Sequence, residues 1–177
     1  MLFSDPNIAI ATTEDLPRIL QILNAAYRGK ISEKGWTSET QLIDGDVRTT
    51  LAILEDLYSV PGSVFLKFTK EDEMITGCVN LQKRPEGMYL GMLAVYPTLQ
   101  NSGTGKKLLY AAEEYAAFQK ADTLFMTVIS LRHTLIDWYK RYGYTDTGSR
   151  EPFEEDGIHG KHLLPLEFAV LEKKIQF

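Results

Sequence analysis

The sequence predicts an α/β fold in which about four helices flank a mixed, mostly antiparallel sheet of about seven strands. Two observations support this prediction. Short apolar runs typical of strands alternate with segments whose apolar residues recur at helical spacing, and three such runs follow one another between residues 64 and 95. Strands that are joined by short turns pair antiparallel, whereas a strand, a helix and a second strand form a parallel pair.

The chain begins with a strand candidate at Asn7 to Ala11, followed by a helix that Thr13 caps. The apolar residues of this helix recur at helical spacing as far as Tyr27, which places them on one buried face. Residues 28–37 contain two glycines that interrupt the spacing, so we expect a loop there.

A second helix is predicted ahead of Pro61. Ser38 and Gln41 have the spacing of a capping box, which marks helix starts, and after Gly45 apolar residues again recur on one face. Three strands follow, separated by turn-forming residues. They are Val64 to Thr69, Met74 to Gln82 and Met88 to Val95.

The C-terminal half contains a glycine-punctuated turn, two helices and three strands. The strand Leu124 to Ile129 lacks polar alternation, which is typical of the interior of a sheet. Because a helix connects it to the strand before the turn, these two strands should be parallel neighbours. The second helix covers Arg132 to Tyr142, and the closing strands are Tyr144 to Gly148 and Leu166 to Lys174.

Composition restricts the class of protein. The 177 residues include 44% hydrophobic and 24% charged residues, which is ordinary for one globular domain spanning residues 1–177. The net charge of −5 disfavours nucleic-acid binding. No apolar run approaches the roughly 18 residues of a membrane span, and no export signal is evident. With one cysteine, we expect a soluble cytoplasmic protein without membrane contact, and a homodimer is left open.

The turn after Val95 has the properties of an anion site. Gly103 and Gly105 lack a Cβ, so the backbone can tighten there and approach a ligand closely. The first N–H groups of a helix have no intrahelical acceptor, and the peptide dipoles add roughly half a positive charge. Lys106 and Lys107 add two full charges beside them.

Residue spacing excludes two common phosphate-binding loops. The loop that binds nucleoside triphosphates needs a glycine where Gln100 stands and a Ser or Thr where Lys107 stands. The dinucleotide-binding turn needs a third glycine where Leu108 stands.

The remaining pattern is Q-x-x-G-x-G at Gln100 to Gly105, after a strand ending in L-A-V-x-P and before K-K-L-L. It resembles the acyl-coenzyme A loop of the GCN5-related N-acetyltransferase (GNAT) family. The predicted order of elements, β-α-α-β-β-β-α-β-α-β-β, is also similar to that of the family. The resemblance implies a GNAT-like sheet whose central parallel pair splays apart.

The resemblance also implies that acetyl-CoA binds as co-substrate in the splayed gap. Backbone groups of Leu93 and Val95 would pair with the pantetheine arm, and the loop would hold the pyrophosphate mainly through its N–H groups. The loop residues are Gln100, Asn101, Ser102, Gly103, Thr104, Gly105 and Lys106.

A second stretch, with Trp138-Tyr139 followed by Gly143-Tyr144, is similar to the family pattern. It puts Tyr139 at the position whose hydroxyl protonates the departing thiolate, a contribution of about 10²-fold in rate; a buried structural tyrosine is the alternative. It puts Arg132 where members commonly carry Asn. Arg132 therefore either contacts the coenzyme or forms a surface ion pair.

The acceptor side follows from the resemblance alone. The loop before the second helix would close over the acceptor, so Trp36 would pack on the substrate and Glu39 would receive a cationic amine. The strand before the turn carries no carboxylate to act as a base. Glu39, Asp44, Asp46 or a chain of waters remain as proton acceptors.

The expected reaction is direct transfer of an acetyl group from acetyl-CoA to a primary amine of a small molecule or peptide. No metal is required, and His159 and His162 lack the neighbouring ligands of a metal site. The alternative is a coenzyme-binding module without turnover, in which Arg132 and the missing strand carboxylate reflect lost chemistry. An acyl chain longer than acetyl is a further option.

Overall fold

The computed structural model describes residues 1–176. In chain order its elements are β1 (Ile8–Ile10), α1 (Leu16–Tyr27), α2 (Gly29–Ser32), β2 (Ile43–Asp44), α3 (Leu51–Ser59), β3 (Ser63–Thr69), β4 (Ile75–Arg84), β5 (Gly87–Val95), α4 (Thr104–Phe118), β6 (Thr123–Ile129), α5 (His133–Arg141), β7 (Thr145–Phe153), β8 (Lys161–His162) and β9 (Leu166–Lys174). No helix within these residues is both long and apolar enough to cross a membrane.

The predicted sheet is confirmed. Seven strands lie in the order β1-β3-β4-β5-β6-β9-β7, and β5 with β6 is the parallel pair, whereas the other neighbours are antiparallel. The interior position expected for β6 is also confirmed, because β5 and β9 pair with its two sides. A separate two-stranded sheet joins β2 to β8.

The parallel pair separates soon after it begins. β5 and β6 are in register only at Met88 with Leu124 and at Tyr89 with Phe125. Farther along, β5 contains a bulge at Met92, whose φ of 54° lies in the left-handed region. Bulges bend a strand and increase its twist. The second half of β5 therefore presents a backbone edge that β6 does not cover.

Helices bury apolar side chains against both faces of the sheet. Leucines and alanines of α4, with Ile136 and Tyr139 of α5, pack on one face against alternate residues of β3, β4, β5 and β6. On the other face, α1 and α3 cover Phe65, Cys78 and Ala94. Strands that are apolar on both faces are expected between two helical layers.

The region between α1 and α3 differs from the prediction. Ser38 starts no helix, so the capping-box prediction is wrong: its hydroxyl bonds with the hydroxyls of Ser32 and Thr40 instead. Helix α3 begins at Leu51 after Thr50, whose side chain accepts from the N–H of Ile53. A short helix, α2, occupies part of the predicted loop. The segment after α2 consists of turns and irregular backbone, and long-range side-chain bonds hold it in place.

Candidate functional site

The loop before α4 has a concave backbone. Asn101 and Gly103 have φ values of 62° and 84°, on either side of Ser102. Such alternation turns successive N–H groups toward one side and makes an anion-binding concavity. The first intrahelical bond of α4 runs from the N–H of Lys107 to the carbonyl of Gly103. The N–H groups of the first turn before Lys107 therefore have no intrahelical acceptor.

This loop opens into a cavity of about 410 Å³. The cavity brings together most of the residues that the sequence indicated. These are Trp36, Leu93, Val95, Gln100, Asn101, Ser102, Gly103, Thr104, Gly105, Lys106 and Tyr139. Its charged lining residues within the described part of the chain are Lys106 and Arg141, so the cavity is cationic.

The two glycines of the loop serve the cavity differently. Gly103 has a left-handed backbone, and a Cβ there would meet nothing within 4 Å. Gly105 lies in the first turn of α4, where a Cβ would sit 3.7 Å from the Trp138 ring and 3.8 Å from Val95. A larger side chain at Gly105 would thus fill the space between these two lining residues.

The two lysines diverge. Lys106 lines the cavity, with its ammonium 5.9 Å from the centre of the Tyr142 ring. Lys107 turns away and pairs with Asp5 at 3.0 Å. The expectation of two charges beside the loop is therefore wrong for Lys107, since helical geometry points adjacent side chains in different directions.

The open edge of β5 forms one wall of the cavity. The carbonyl of Leu93 accepts a hydrogen bond from the hydroxyl of Tyr27, and the carbonyl of Val95 accepts one from Gln100 Nε2 at 3.0 Å. The family resemblance implies that backbone groups of Leu93 and Val95 pair with the pantetheine arm, and the carbonyls of both residues already have side-chain donors.

Tyr139 reaches the cavity from α5. Its side chain is buried, with its ring edge-on to those of Trp138 and Tyr144 at 5.0 and 5.9 Å. Burial raises the pKa of Tyr139, and the nearby Tyr27 raises it further. A phenol with a raised pKa keeps its proton at neutral pH. Tyr139 is thus chemically able to donate a proton to a basic group in the cavity.

Gln100 connects the cavity loop to the segment between α2 and β2. Its Oε1 accepts from the N–H of Trp36 at 2.8 Å, and its Nε2 donates to the Thr37 hydroxyl at 2.8 Å. A Cβ on Gly35 would overlap the Gln100 amide, so glycine permits this close approach. The Gln100 side chain therefore holds protein segments in place, and the backbone of the loop remains available to a ligand.

Glu39 and Arg132 lie outside the first cavity. They line a second cavity of about 310 Å³, together with Trp36, which is common to both. Glu39 is buried and pairs with Arg28 at 2.8 Å. Its carboxylate was expected to receive a cationic amine, but in the structure it already has a cationic partner. Arg132 donates to the carbonyl of Thr37 at 2.8 Å and does not line the first cavity.

No carboxylate lines the first cavity among the described residues. Asp44 belongs to β2, where its backbone is in register with that of Lys161 in β8. Neither Asp44 nor Asp46 borders either cavity. The three acidic candidates for a base are therefore either remote from the first cavity or, in the case of Glu39, already paired.

Several lining residues were missed by sequence reasoning. Trp138, Arg141 and Tyr142 line the first cavity beside Tyr139. Residues 138, 141 and 142 have the three- and four-residue spacing of one helical face, which is a signal that the sequence contained. Tyr27 and Thr37 also line it, but their positions depend on contacts with β5 and Gln100 that are distant in sequence.

The histidines lie elsewhere. His159 bonds with Asp156, and His162 of β8 packs edge-on against Phe153 at 4.5 Å. Within residues 1–176, no group of three or more His, Cys, Asp or Glu side chains is arranged to hold a metal ion.

Comparison with known structures gives similar folds at low sequence identity. The ribosomal-protein-S18-alanine N-acetyltransferase from Escherichia coli is 16% identical, with a TM-score of 0.71 over 96% of this chain and 94% of that one. The ribosomal-protein-alanine N-acetyltransferase from Brucella melitensis is 21% identical, with a TM-score of 0.70 over 95% and 99%. The putative acetyltransferase yncA from Salmonella typhimurium, solved with its cofactor acetyl-CoA, is 20% identical, with a TM-score of 0.69 over 98% and 96%.

Sequence comparison identifies the family. No curated protein sequence matches the chain. A family model described as "Acetyltransferase (GNAT) domain" matches residues 53–163, more than half of the chain. The match includes β5, the loop before α4, and α5 with Tyr139. The chain therefore belongs to the GNAT family of acetyltransferases.

Proposed function

We propose that this protein is an N-acetyltransferase that moves the acetyl group of acetyl-CoA directly to a primary amine of a small molecule or peptide. The observation that carries the proposal is a convergence in one cavity. The concave loop before α4, the open edge of β5 and the buried phenol of Tyr139 all border the same space. We also propose that residues 1–177 form one domain, because helices on both faces share one sheet.

The loop fits a pyrophosphate. Free N–H groups at the start of a helix, with the positive end of its dipole, are a preferred environment for phosphate. Lys106 and Arg141 add positive charge to the cavity lining. These features support acetyl-CoA as the co-substrate, with its phosphates at the loop and its thioester deeper in the cavity near Tyr139.

The chemistry requires few protein groups. The neutral amine attacks the thioester carbonyl, a C–N bond forms, and the C–S bond then breaks. The amine nitrogen loses a proton, and the departing thiolate accepts one, so the products are the acetylated amine and the free thiol of CoA. A backbone N–H of β5 would stabilise the oxyanion of the tetrahedral intermediate.

Tyr139 is the proposed general acid. Its raised pKa ensures that the hydroxyl carries a proton when the thiolate leaves. The amine proton leaves through water, because the described lining of the first cavity contains no carboxylate. Acid and base roles are therefore separate, and the base role needs no dedicated side chain.

The proposal is tested by thiol release from acetyl-CoA in the presence of a panel of amines. We expect amine-dependent release of CoA with an equal amount of acetylated amine detected by mass spectrometry. CoA binding without release on any amine would contradict the proposal and favour the binding module. Propionyl-CoA and butyryl-CoA in competition establish the acyl length.

A further inference from the structure

The second cavity contains an arginine whose charge is not balanced locally. The described residues that line this cavity include one carboxylate, Glu39, and one guanidinium, Arg132. A second guanidinium, that of Arg28, lies against the same carboxylate. Two guanidinium groups therefore lie near a single carboxylate, and the charge balance depends on how closely Glu39 pairs with each arginine.

Arg28 is the closer ion-pair partner of Glu39. Its Nη1 donates to Glu39 Oε1 at 2.8 Å, and its Nε and Nη2 donate to the carbonyl of His159 at 3.2 and 2.9 Å. The side chain of Arg28 is 1% exposed and that of Glu39 is 7% exposed. A hydrogen-bonded pair at this depth neutralises itself, since attraction between the charges is strong where water is absent.

The positive charge of Arg132 is therefore not fully balanced by Glu39. Its Nη1 lies 3.7 Å from Glu39 Oε2, beyond hydrogen-bond distance, and its side chain is 9% exposed. The one hydrogen bond that its side chain makes to the described residues runs from Nη2 to the carbonyl of Thr37. A guanidinium has five N–H donors, so most of those of Arg132 are not matched. The unbonded nitrogens of Arg132 are not fully buried, and Arg132 lines the second cavity, so these donors are accessible to an acceptor there.

The second cavity adjoins the first. Trp36, Thr134 and Leu135 line both, so a small molecule in the second cavity lies next to the space that Tyr139 borders. The volume of about 310 Å³ is at the lower limit of small-molecule sites. The cavity therefore suits a compact acceptor.

We propose that Arg132 binds the carboxylate of an acceptor that carries both a primary amine and a carboxylate, an amino acid or a similar compound. The proposal rests on the acetyltransferase function proposed above and specifies its substrate class. A guanidinium binds a carboxylate through two parallel hydrogen bonds, which fixes orientation as well as charge. The carboxylate at Arg132 would leave the amine of the acceptor directed past Trp36 toward the first cavity.

The charge of the acceptor provides a test that needs no mutation. Glycine, alanine, leucine, methionine and phenylalanine would each be compared with the corresponding primary amide as acceptors. At least one acid should exceed its amide about 10- to 100-fold in kcat/KM, the range of a hydrogen-bonded charge. The inference is overturned if every amide equals or exceeds its acid.

Variants assign the preference to Arg132. In Arg132→Met the acid and the amide should react equally, with the KM for acetyl-CoA nearly unchanged, whereas Arg132→Lys should keep part of the preference. Arg48→Met is the matched control, because the guanidinium groups of Arg48 and Arg132 lie 5.8 and 5.9 Å from the centre of the Tyr27 ring, but Arg48 lines neither cavity. A preference that persists in Arg132→Met overturns the inference.

A binding measurement separates this inference from the function on which it rests. The two tryptophans of the chain, Trp36 and Trp138, both border the first cavity, and Trp36 also borders the second, so their fluorescence reports on ligands in either cavity. Acids that bind without being acetylated, and that Arg132→Met fails to bind, would support the carboxylate site and contradict acetyl transfer. Acetylation without preference for acids would do the reverse. Absence of both binding and acetylation of the acids overturns the carboxylate site.

Discussion

Gln100 and Thr37 join the two sides of the candidate site, through a hydrogen bond of 2.8 Å from Gln100 Nε2 to the Thr37 hydroxyl. The same hydroxyl donates to the carbonyl of Ala26 in α1, and the carbonyl of Thr37 accepts from Arg132. Thr37 therefore connects its segment to three other parts of the chain: α1, the loop before α4 and the residue that precedes α5.

This connection predicts energetic coupling between the two residues. Gln100→Leu leaves the N–H of Trp36 without its side-chain acceptor and removes the donor to the Thr37 hydroxyl, so the free energy of unfolding should fall by about 1–3 kcal/mol. In a Thr37→Val background the loss should differ by about 0.5 kcal/mol or more, because the two side chains interact directly. Urea unfolding of both single variants and the double variant measures the coupling. As a control, the changes in the free energy of unfolding caused by Gln41→Leu and Thr37→Val should add. If the changes caused by Gln100→Leu and Thr37→Val also add, the connection is refuted.

Removal of the Tyr139 hydroxyl should slow acetyl transfer. We expect Tyr139→Phe to lower kcat by about 10²-fold with the KM for acetyl-CoA nearly unchanged. Because burial raises the pKa of Tyr139, its hydroxyl stays protonated well above neutrality, and the deficit should be constant from about pH 7 to about pH 9. Tyr144→Phe is the control, since Tyr144 is equally buried but bonds to Glu113 away from the cavity. Equal rates for Tyr139→Phe and wild type would contradict the acid role.

Substitution of Gly103 should weaken CoA binding, whereas a substitution that causes the same backbone strain elsewhere should not. Gly103 and Gly148 have φ values of 84° and 83°, and a Cβ meets nothing within 4 Å at either. Valine at either position should therefore cost a similar stability, about 1–2 kcal/mol. Gly103→Val alone should lose about 10- to 100-fold in CoA affinity, because the loop can no longer present its N–H groups together. Calorimetric titration with CoA decides, and equal affinities would contradict the role of the loop.

A substitution that fills the cavity gives an independent result. In Gly105→Val the side chain would occupy the space between Val95 and Trp138, so CoA affinity should fall while the backbone of α4 remains helical. Calorimetric titration with CoA and circular dichroism measure the two quantities. Unchanged affinity in a folded variant would place the ligand elsewhere.

The buried pair of Arg28 and Glu39 should matter for stability. Arg28→Met leaves the Glu39 carboxylate buried without its closest partner, and we expect a loss of about 3–5 kcal/mol in the free energy of unfolding. Arg150→Met, which breaks an exposed pair with Asp146, should cost much less. Urea unfolding under identical conditions compares them, and similar losses would contradict this account.

The sequence allowed the sheet, its parallel pair and the phosphate-type loop to be predicted, because these depend on local patterns. Apolar runs and turn residues act over a few positions, and so does the spacing of Gln100, Gly103 and Gly105. The residues of this loop lie together with Tyr139 in one cavity, as the family resemblance implied. Their roles in binding and catalysis remain predictions.

The acceptor side could not be predicted, because it is built from long-range polar contacts. Ser38 has a local capping signal, yet its segment is held by Arg28, Gln100 and Arg132. Arg28 and the His159 carbonyl are 131 positions apart in sequence. No periodicity encodes such a pair, so the orientations of Glu39 and Arg132 became apparent only in three dimensions.

The early separation of β5 from β6 gives the sheet an inner edge in addition to its two outer edges. Outer edges attract strands of other proteins and promote aggregation. This inner edge lies within the sheet, between helices that pack on both faces, and it borders the first cavity, so it is less accessible to a foreign polypeptide strand than an outer edge. The pantetheine arm of the proposed co-substrate is a thin chain with its own amide groups and would be able to reach it. The fold thereby offers strand backbone groups to a ligand at a position where pairing with a strand of another protein is hindered.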